Sequence, residues 1–331
     1  MTIAISGING ITLDGQFNSA SSMGFKNRII NGQMQIAQRA TSATITAGST
    51  IAAGYSTVDR FYVYCTGANV TAAQVAGSGA TKNRLQITGA ASVTAVGIGQ
   101  RIEQLNSYDL AGSTATLSAD LAISATLTTV TWTASYATTT ADTFGTLASP
   151  TVTQIATGTF TVNSTVTNFS TNISIPVAAT TGIQIVFTVG ALTAGLTWTV
   201  GNVQLEKGST ATSFDYRPYG TELALCQRYY IKYSGNGTRF YGGRTESTAA
   251  AIWQCALPVE MRTVPTVTAI DVTSLSINDT SVQVACTSIS TAYSSTRQIA
   301  QGFNCGTVTN IRYIFLTPTS ATAAVEASAE L

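Results

Sequence analysis

The chain has 331 residues, 44% apolar and only 9% charged, with a net charge of +1 and no histidine. Soluble domains usually carry about 25% charged residues; here Ser and Thr take their place, at roughly a quarter of the chain. Disorder is excluded, because it needs low hydrophobicity and high net charge. Lys and Arg are scattered, so a phosphate-driven nucleic-acid role has no electrostatic footprint. Apolar runs fall far short of the ~18 residues of a membrane helix. The absence of histidine removes Ser-His and Cys-His nucleophile systems and the commonest metal ligand together.

Residues 1–27 are rich in Gly, Ser and Asn. Short apolar beats (Ile3, Ile5, Ile8, Ile11, Leu13) are separated by Asn9-Gly10 and Asp14-Gly15, dipeptides that favour tight turns. This reads as an attachment segment. The start Met1–Gly7 lacks a basic and then apolar leader, so synthesis in a cytoplasm without secretion by that route is expected.

From 28 to 218 the dominant period is two. Leu117, Ala119, Leu121 and Ile123 alternate with polar or small residues. Val130, Trp132, Ala134 and Tyr136 do the same, as do Phe160 with Val162, then Ile183, Ile185, Phe187 and Val189, then Leu196, Trp198 and Val200. Further strands fit near 85–88 and 98–102. Many short strands bounded by turn residues predict a β-sandwich, because one-face burial demands this alternation. Glu222–Tyr230 lacks Gly and Pro, follows Pro218 and Gly220, and predicts a short helix. From 231 to 331 strands return: Ala251, Trp253, Cys255 and Leu257 alternate, and Ile311, Tyr313 and Phe315 form a late strand. The fold class expected is all-β, a sandwich over 28–218 and a smaller β domain over 219–331. No fixed repeat supports a solenoid.

The five cysteines, Cys65, Cys226, Cys255, Cys286 and Cys305, are widely spaced with no CxxC pair. They are read as small buried hydrophobes, kept reduced by cytoplasmic synthesis, with a disulfide set as the alternative. No cofactor, metal or catalytic residue is expected.

Several segments together resemble one family. Asn27-Arg28-Ile29-Ile30-Asn31-Gly32, Ile36-Ala37-Gln38-Arg39 and Tyr55–Phe61 resemble the opening of a jelly-roll domain of phage tail-fibre and tail-associated proteins. Gln100-Arg101-Ile102-Glu103 resembles a mid-domain strand of that family. Val203–Gly208, Phe214–Tyr219 and Glu222–Tyr230, with its Cys-Gln-Arg-Tyr-Tyr ending, resemble its closing strand and exit. Ser6–Leu13 is similar to the leader of phage fibre subunits. The resemblance implies a carbohydrate-binding-module-like jelly roll and a virion protein.

Each striking cluster has a functional and a structural reading. Asp59, Arg60, Arg101 and Glu103 either orient a ligand or form internal ion pairs; in so charge-poor a chain the structural reading is preferred. Glu206 and Asp215 are the pair a glycosidase would need, yet they sit at a strand end and a domain exit. Asn278-Asp279-Thr280 reads as a turn rather than a Ca²⁺ site. Asn236-Gly237 predicts a hairpin tip between Tyr233 and Phe240. Around it Asn236, Arg239, Tyr241, Arg244 and Trp253 are the candidate receptor contacts, since flat rings cover apolar sugar faces and guanidinium groups serve hydroxyls or carboxylates.

The expected function is a structural virion protein, a tail-fibre or tail-tip adhesin subunit. It would act as a homo-oligomer, a trimer, with tail or capsid proteins and a host surface glycan or protein as partners. No nucleic acid and no membrane insertion are expected. A head-decoration or cement protein is the alternative, and a polysaccharide depolymerase a more distant one.

Overall fold

The computed structural model describes residues 3–6, 10–13, 25–48, 52–124, 127–278, 283–308 and 313–331. It is all-β in two compact units, the first running to Pro218 and the second over Tyr219–Glu330. The expected turns at Asn9 and at Asp14-Gly15 lie outside the described residues.

In the first unit β1 (Ile3–Ser6) and β2 (Gly10–Leu13) pair antiparallel with each other. Twelve strands then build a sandwich. They are β3 (Ser42–Ile45), β4 (Ala52–Tyr55), β5 (Tyr62–Thr66), β6 (Val70–Ala76), β7 (Asn83–Thr88) and β8 (Ala95–Ile102), followed after the one-turn helix α1 (Gln104–Ser107) by β9 (Thr114–Ile123), β10 (Thr129–Ala137), β11 (Val152–Thr161), β12 (Thr167–Ser174), β13 (Ile183–Val189) and β14 (Thr197–Lys207). One six-stranded sheet has the order β11-β10-β13-β8-β5-β4, the other β12-β9-β14-β7-β6-β3. All pairs are antiparallel, and the non-sequential order makes the layers a jelly-roll sandwich.

The alternation read from the sequence fixes which face is buried. Leu117, Ala119, Leu121 and Ile123 from β9 meet Ile183, Ile185 and Phe187 from β13 in one core, with Trp198 and Val200 from β14. Trp198 is fully buried; emptying so large a site costs about 3–5 kcal/mol.

A buried polar staple ties the crossing segment 27–36 to this core. The Asn27 side chain accepts from Ile29 N–H (2.9 Å) and Leu205 N–H (3.1 Å) and donates to Val203 O (3.0 Å). Asn31, at φ 59°, accepts from the N–H groups of Gln35 and Ile36 and donates to Ile36 O and Asp59 O. Gln100 closes a two-way pair with the Ile30 backbone, both bonds 2.8 Å. Arg217 donates to the carbonyls of Ile29 and Asn27. Each of these bonds satisfies a backbone group that the crossing would otherwise leave buried and unpaired.

The second unit opens with α2 (Tyr219–Gln227). The helix begins earlier than the sequence suggests and ends before Tyr229-Tyr230, whose aromatic, β-favouring run enters a strand instead. A three-stranded sheet has the order β15-β23-β18, from β15 (Tyr230–Ser234), β18 (Thr266–Ile270) and β23 (Ala324–Ser328). A closed six-stranded barrel has the order β16-β17-β21-β20-β19-β22. Its strands are β16 (Phe240–Ser247), β17 (Ala250–Ala256), β19 (Leu275–Asn278), β20 (Gln283–Ala292), β21 (Gln298–Cys305) and β22 (Tyr313–Pro318). Trp253, Leu275, Ile299, Phe303, Ile314 and Leu316 pack its interior. Closure pairs each barrel strand with a neighbour on both sides over part of its length.

Asp271, left-handed at φ 50°, buckles this unit by accepting from the hydroxyls of Ser320 and Thr322, each at 3.1 Å. Side-chain bonding, Ser274 foremost, holds its carboxyl below the ordinary range. A depressed carboxylate contributes stability above its unfolded pKa and loses it as pH falls through the folded value. The midpoint of the second unit should therefore drop on acidification below about pH 4, and Asp271→Asn should flatten that drop in a pH series of melting curves. In the first unit, a Cβ at Gly32 would stand 2.1 Å from Val203 O. Gly32→Ala is expected to cost about 1–3 kcal/mol by forcing backbone apart, measurable by denaturant unfolding.

Candidate functional site

The charged residues singled out in the sandwich are interior. Asp59, Arg60, Arg101 and Glu103 are each no more than 2% exposed. Asp59 accepts from Gln38 N–H (2.9 Å) and the Gln38 carboxamide. Arg60, at φ 71°, donates to Arg101 O (2.6 Å). The Arg101 fork reaches Gln184 Oε1 (3.0 Å), Gly145 O (2.9 Å) and Thr146 O (3.1 Å), with its Cζ 6.0 Å from the Tyr62 ring centroid. These guanidiniums fasten loops to a sheet.

Glu206 and Asp215 do not form a free acid–base pair. Glu206 Oε1 accepts from Gln204 Nε2 (2.9 Å) and Thr212 N–H (2.8 Å), and its Oε2 accepts from Thr212 Oγ1 (2.6 Å). Asp215 Oδ2 accepts from the N–H groups of Lys26 and Asn27, and its own N–H donates to Gln204 Oε1 (2.9 Å). Both carboxylates accept hydrogen bonds from structural donors.

In the second unit the candidate contacts separate. Trp253 is wholly buried, with Tyr233 5.5 Å and Phe240 6.3 Å away between ring centroids. A surface-contact role for Trp253 is corrected to a core role, because an inward position on a closed barrel strand is shielded from any partner. Asn236 is exposed in a tight turn, but the turn is not a hairpin tip: β15 pairs with β23, whereas β16 belongs to the barrel. Thr238 N–H donates to Gly235 O (3.0 Å), and Gly237, at φ 77°, donates its N–H to Pro318 O (2.8 Å). The turn is thus pinned to the end of β22, and Gly237 supplies the positive φ.

Arg239 and Arg244 do share a surface. Arg239 lies just before β16, and Arg244 on it, opposite Tyr313 of β22. Tyr313 is 91% exposed. Phe315, two residues on, is half-buried, and the Arg239 guanidinium sits 5.9 Å from its ring centroid. Arg244 is 3.7 Å from Glu246, with its side chain largely exposed. Tyr241 is the backbone partner of Phe315. The β16–β22 ribbon thus presents an open ring, a ring under a guanidinium, and a second guanidinium. Such a face stacks on apolar sugar faces while its donors serve hydroxyl or carboxylate groups.

The alternation in β22 runs opposite to its apparent phase. Ile314 and Leu316 point into the barrel, so Tyr313 and Phe315 point out. Tyr313 belongs to the aromatic phase by which the sequence marks this strand; the signal for its outward direction is that Ile314 and Leu316 supply an alternative apolar phase. Asp279 and Thr280 lie outside the described residues, while Asn278 is buried in β19. Among the described residues no cluster of three or more His, Cys, Asp or Glu side chains could hold a metal ion, and no helix is long and apolar enough to cross a membrane.

A scan against protein-family models matches none, and a search of the curated proteins matches none. Among solved structures the chain is similar to the CBM22-2 xylan-binding domain of Paenibacillus barcinonensis Xyn10C, at 13% identity over 44% of this chain and 91% of that one, with a TM-score of 0.30. It is similar to a family 16 carbohydrate-binding module at 19% identity, covering 41% of this chain and 84% of that one, TM-score 0.28. It is also similar to the enzymatically active domain of tailspike protein 4 of bacteriophage CBA120, at 13% identity over 55% of this chain and 21% of that one, TM-score 0.32. Likenesses of this size transfer no ligand or activity.

Glu206 tests the structural role of the carboxylates. Glu206→Ala strands the buried Gln204 carboxamide donor and releases Thr212 from its carboxylate partner, and should lower the stability of the first unit by about 1–3 kcal/mol in denaturant unfolding.

Proposed function

We propose that the chain is a non-catalytic display protein that binds a surface glycan through the β16–β22 face. The observation that carries this reading is the outward Tyr313 beside Arg244, with Arg239 over Phe315, on a rigid closed barrel. Aromatic rings cost little conformational entropy when they bind, and a barrel wall holds them in place. The engagement of Glu206 and Asp215 by structural donors supports a non-catalytic role.

At a finer level we propose a tail-fibre or tail-tip adhesin subunit of a bacteriophage, located in the virion and acting as a homotrimer. The motif order from Asn27 to Tyr230 supports this assignment. Self-association is supported by Leu105 and Tyr108, which are 79% and 59% exposed. Three copies would turn weak single contacts into firm attachment by effective concentration.

The test is binding of the purified full chain to immobilised host-envelope polysaccharide. Wild-type protein should bind without cleaving it. A Tyr313→Ala, Arg244→Ala double variant should bind at least ~10-fold more weakly with an unchanged melting curve. Equal binding by the double variant, or release of oligosaccharides by the wild type, overturns the proposal. Light scattering at micromolar concentration should give a trimer, and a monomer removes the multivalent step.

A further inference from the structure

No disulfide joins any of the five cysteines, and two of them oppose each other across a β-ladder. Cys286 on β20 and Cys305 on β21 are direct register partners. The neighbouring pair is bonded: Gly306 N–H donates to Ala285 O at 3.3 Å. Bonded and non-bonded pairs alternate along an antiparallel ladder, so 286–305 is a non-hydrogen-bonded pair, the kind whose Cα atoms approach to ~4.5 Å and whose side chains lie closest. A disulfide needs Cα atoms about 4.4–6.8 Å apart. Both side chains point into the same barrel core, Cys286 1% and Cys305 7% exposed. Cys65 and Cys226 lie elsewhere in the chain, and Cys255 pairs in register with Ile299.

We propose that Cys286 and Cys305 form a cross-strand disulfide when the protein passes from a reducing medium to one containing a small-molecule disulfide such as oxidised glutathione. One cysteine thiolate attacks a sulfur of the oxidant, breaking its S–S bond and releasing one glutathione thiolate. The second cysteine thiolate attacks the mixed disulfide, forming the protein S–S bond and releasing the other. Two protein thiols are oxidised, the oxidant is reduced to two thiols, and the two thiol protons pass to the released thiolates. Burial pushes the Cys286 thiol up to about 12 and raises Cys305 as well. Thiolate is therefore scarce in the closed barrel, and the bond forms during folding or local opening. The bond would lock the β20–β21 ladder, closing the loop between its two ends.

The full chain refolded from guanidinium in a buffer of oxidised glutathione, and separately incubated with it in the native state, tests this. After refolding, the free-thiol count under denaturing conditions should fall from five to three, reversibly with dithiothreitol. Peptide mapping should join Cys286 to Cys305. The thermal midpoint of the second unit should rise by roughly 10 °C over the reduced protein. Native incubation should reach the same product far more slowly. Cys286→Ser and Cys305→Ser proteins should form no intramolecular cross-link. Five free thiols after oxidative refolding, or a cross-link that involves Cys255 instead, overturns the proposal.

Discussion

One buried carboxamide, that of Asn27, anchors the first unit: it reads three backbone positions at once, on its own segment and on the last strand of the sandwich. A chain that crosses the end of a sandwich before entering a sheet carries backbone polar groups with no ladder to join, and burying them unpaired costs about 1–3 kcal/mol each. Here Asn27, Asn31, Gln100 and Arg217 take up those groups one by one. Gly32 lets the crossing press against Val203, because any larger side chain would meet that carbonyl. These residues fall within motifs that stand out in the sequence, and at these positions the motifs encode a fold device.

This explains what could be read ahead of the structure. The central strands β8, β9, β10, β13 and β14 each pack one face on the core, and their apolar residues recur at every second position. The outer strands were hard to see. β12 is almost wholly exposed and is made of Thr, Asn and Ser with two apolar residues, so its alternation carries little contrast. β3 and β4 are short edge strands with the same lack of contrast. An edge strand owes its position to its neighbour's free backbone groups more than to its own side chains.

The second unit was legible as β and illegible in detail, for the same reason. A closed barrel takes strands that can be apolar on both sides, and period-two reasoning then offers two phases with nothing to choose between them. In β22 the aromatic phase lies outside and the aliphatic phase inside. Likewise Asn236-Gly237 signals a tight turn truly, but a dipeptide cannot say whether the strands it joins pair with each other. They enter different sheets, because β15 is claimed by β23 and β16 by β17 and β22.

The scarcity of charge ties these features together. Sheet surfaces here are finished with neutral hydroxyl pairs, such as Thr133 with Thr157 at 3.1 Å, Thr138 with Thr153 at 3.0 Å and Thr66 with Thr94 at 2.7 Å. Such pairs do not titrate in the physiological range and are not screened by salt, unlike exposed ion pairs. The few guanidiniums that remain therefore stand out. Arg60, Arg101 and Arg217 are buried and spend their donors on backbone carbonyls, fixing loops in place. Arg239 stays beside the half-buried Phe315 and Arg244 beside the exposed Tyr313. In a protein with so few charges, guanidiniums turned inward mark the scaffold more sharply than rings do, because rings serve both core and surface.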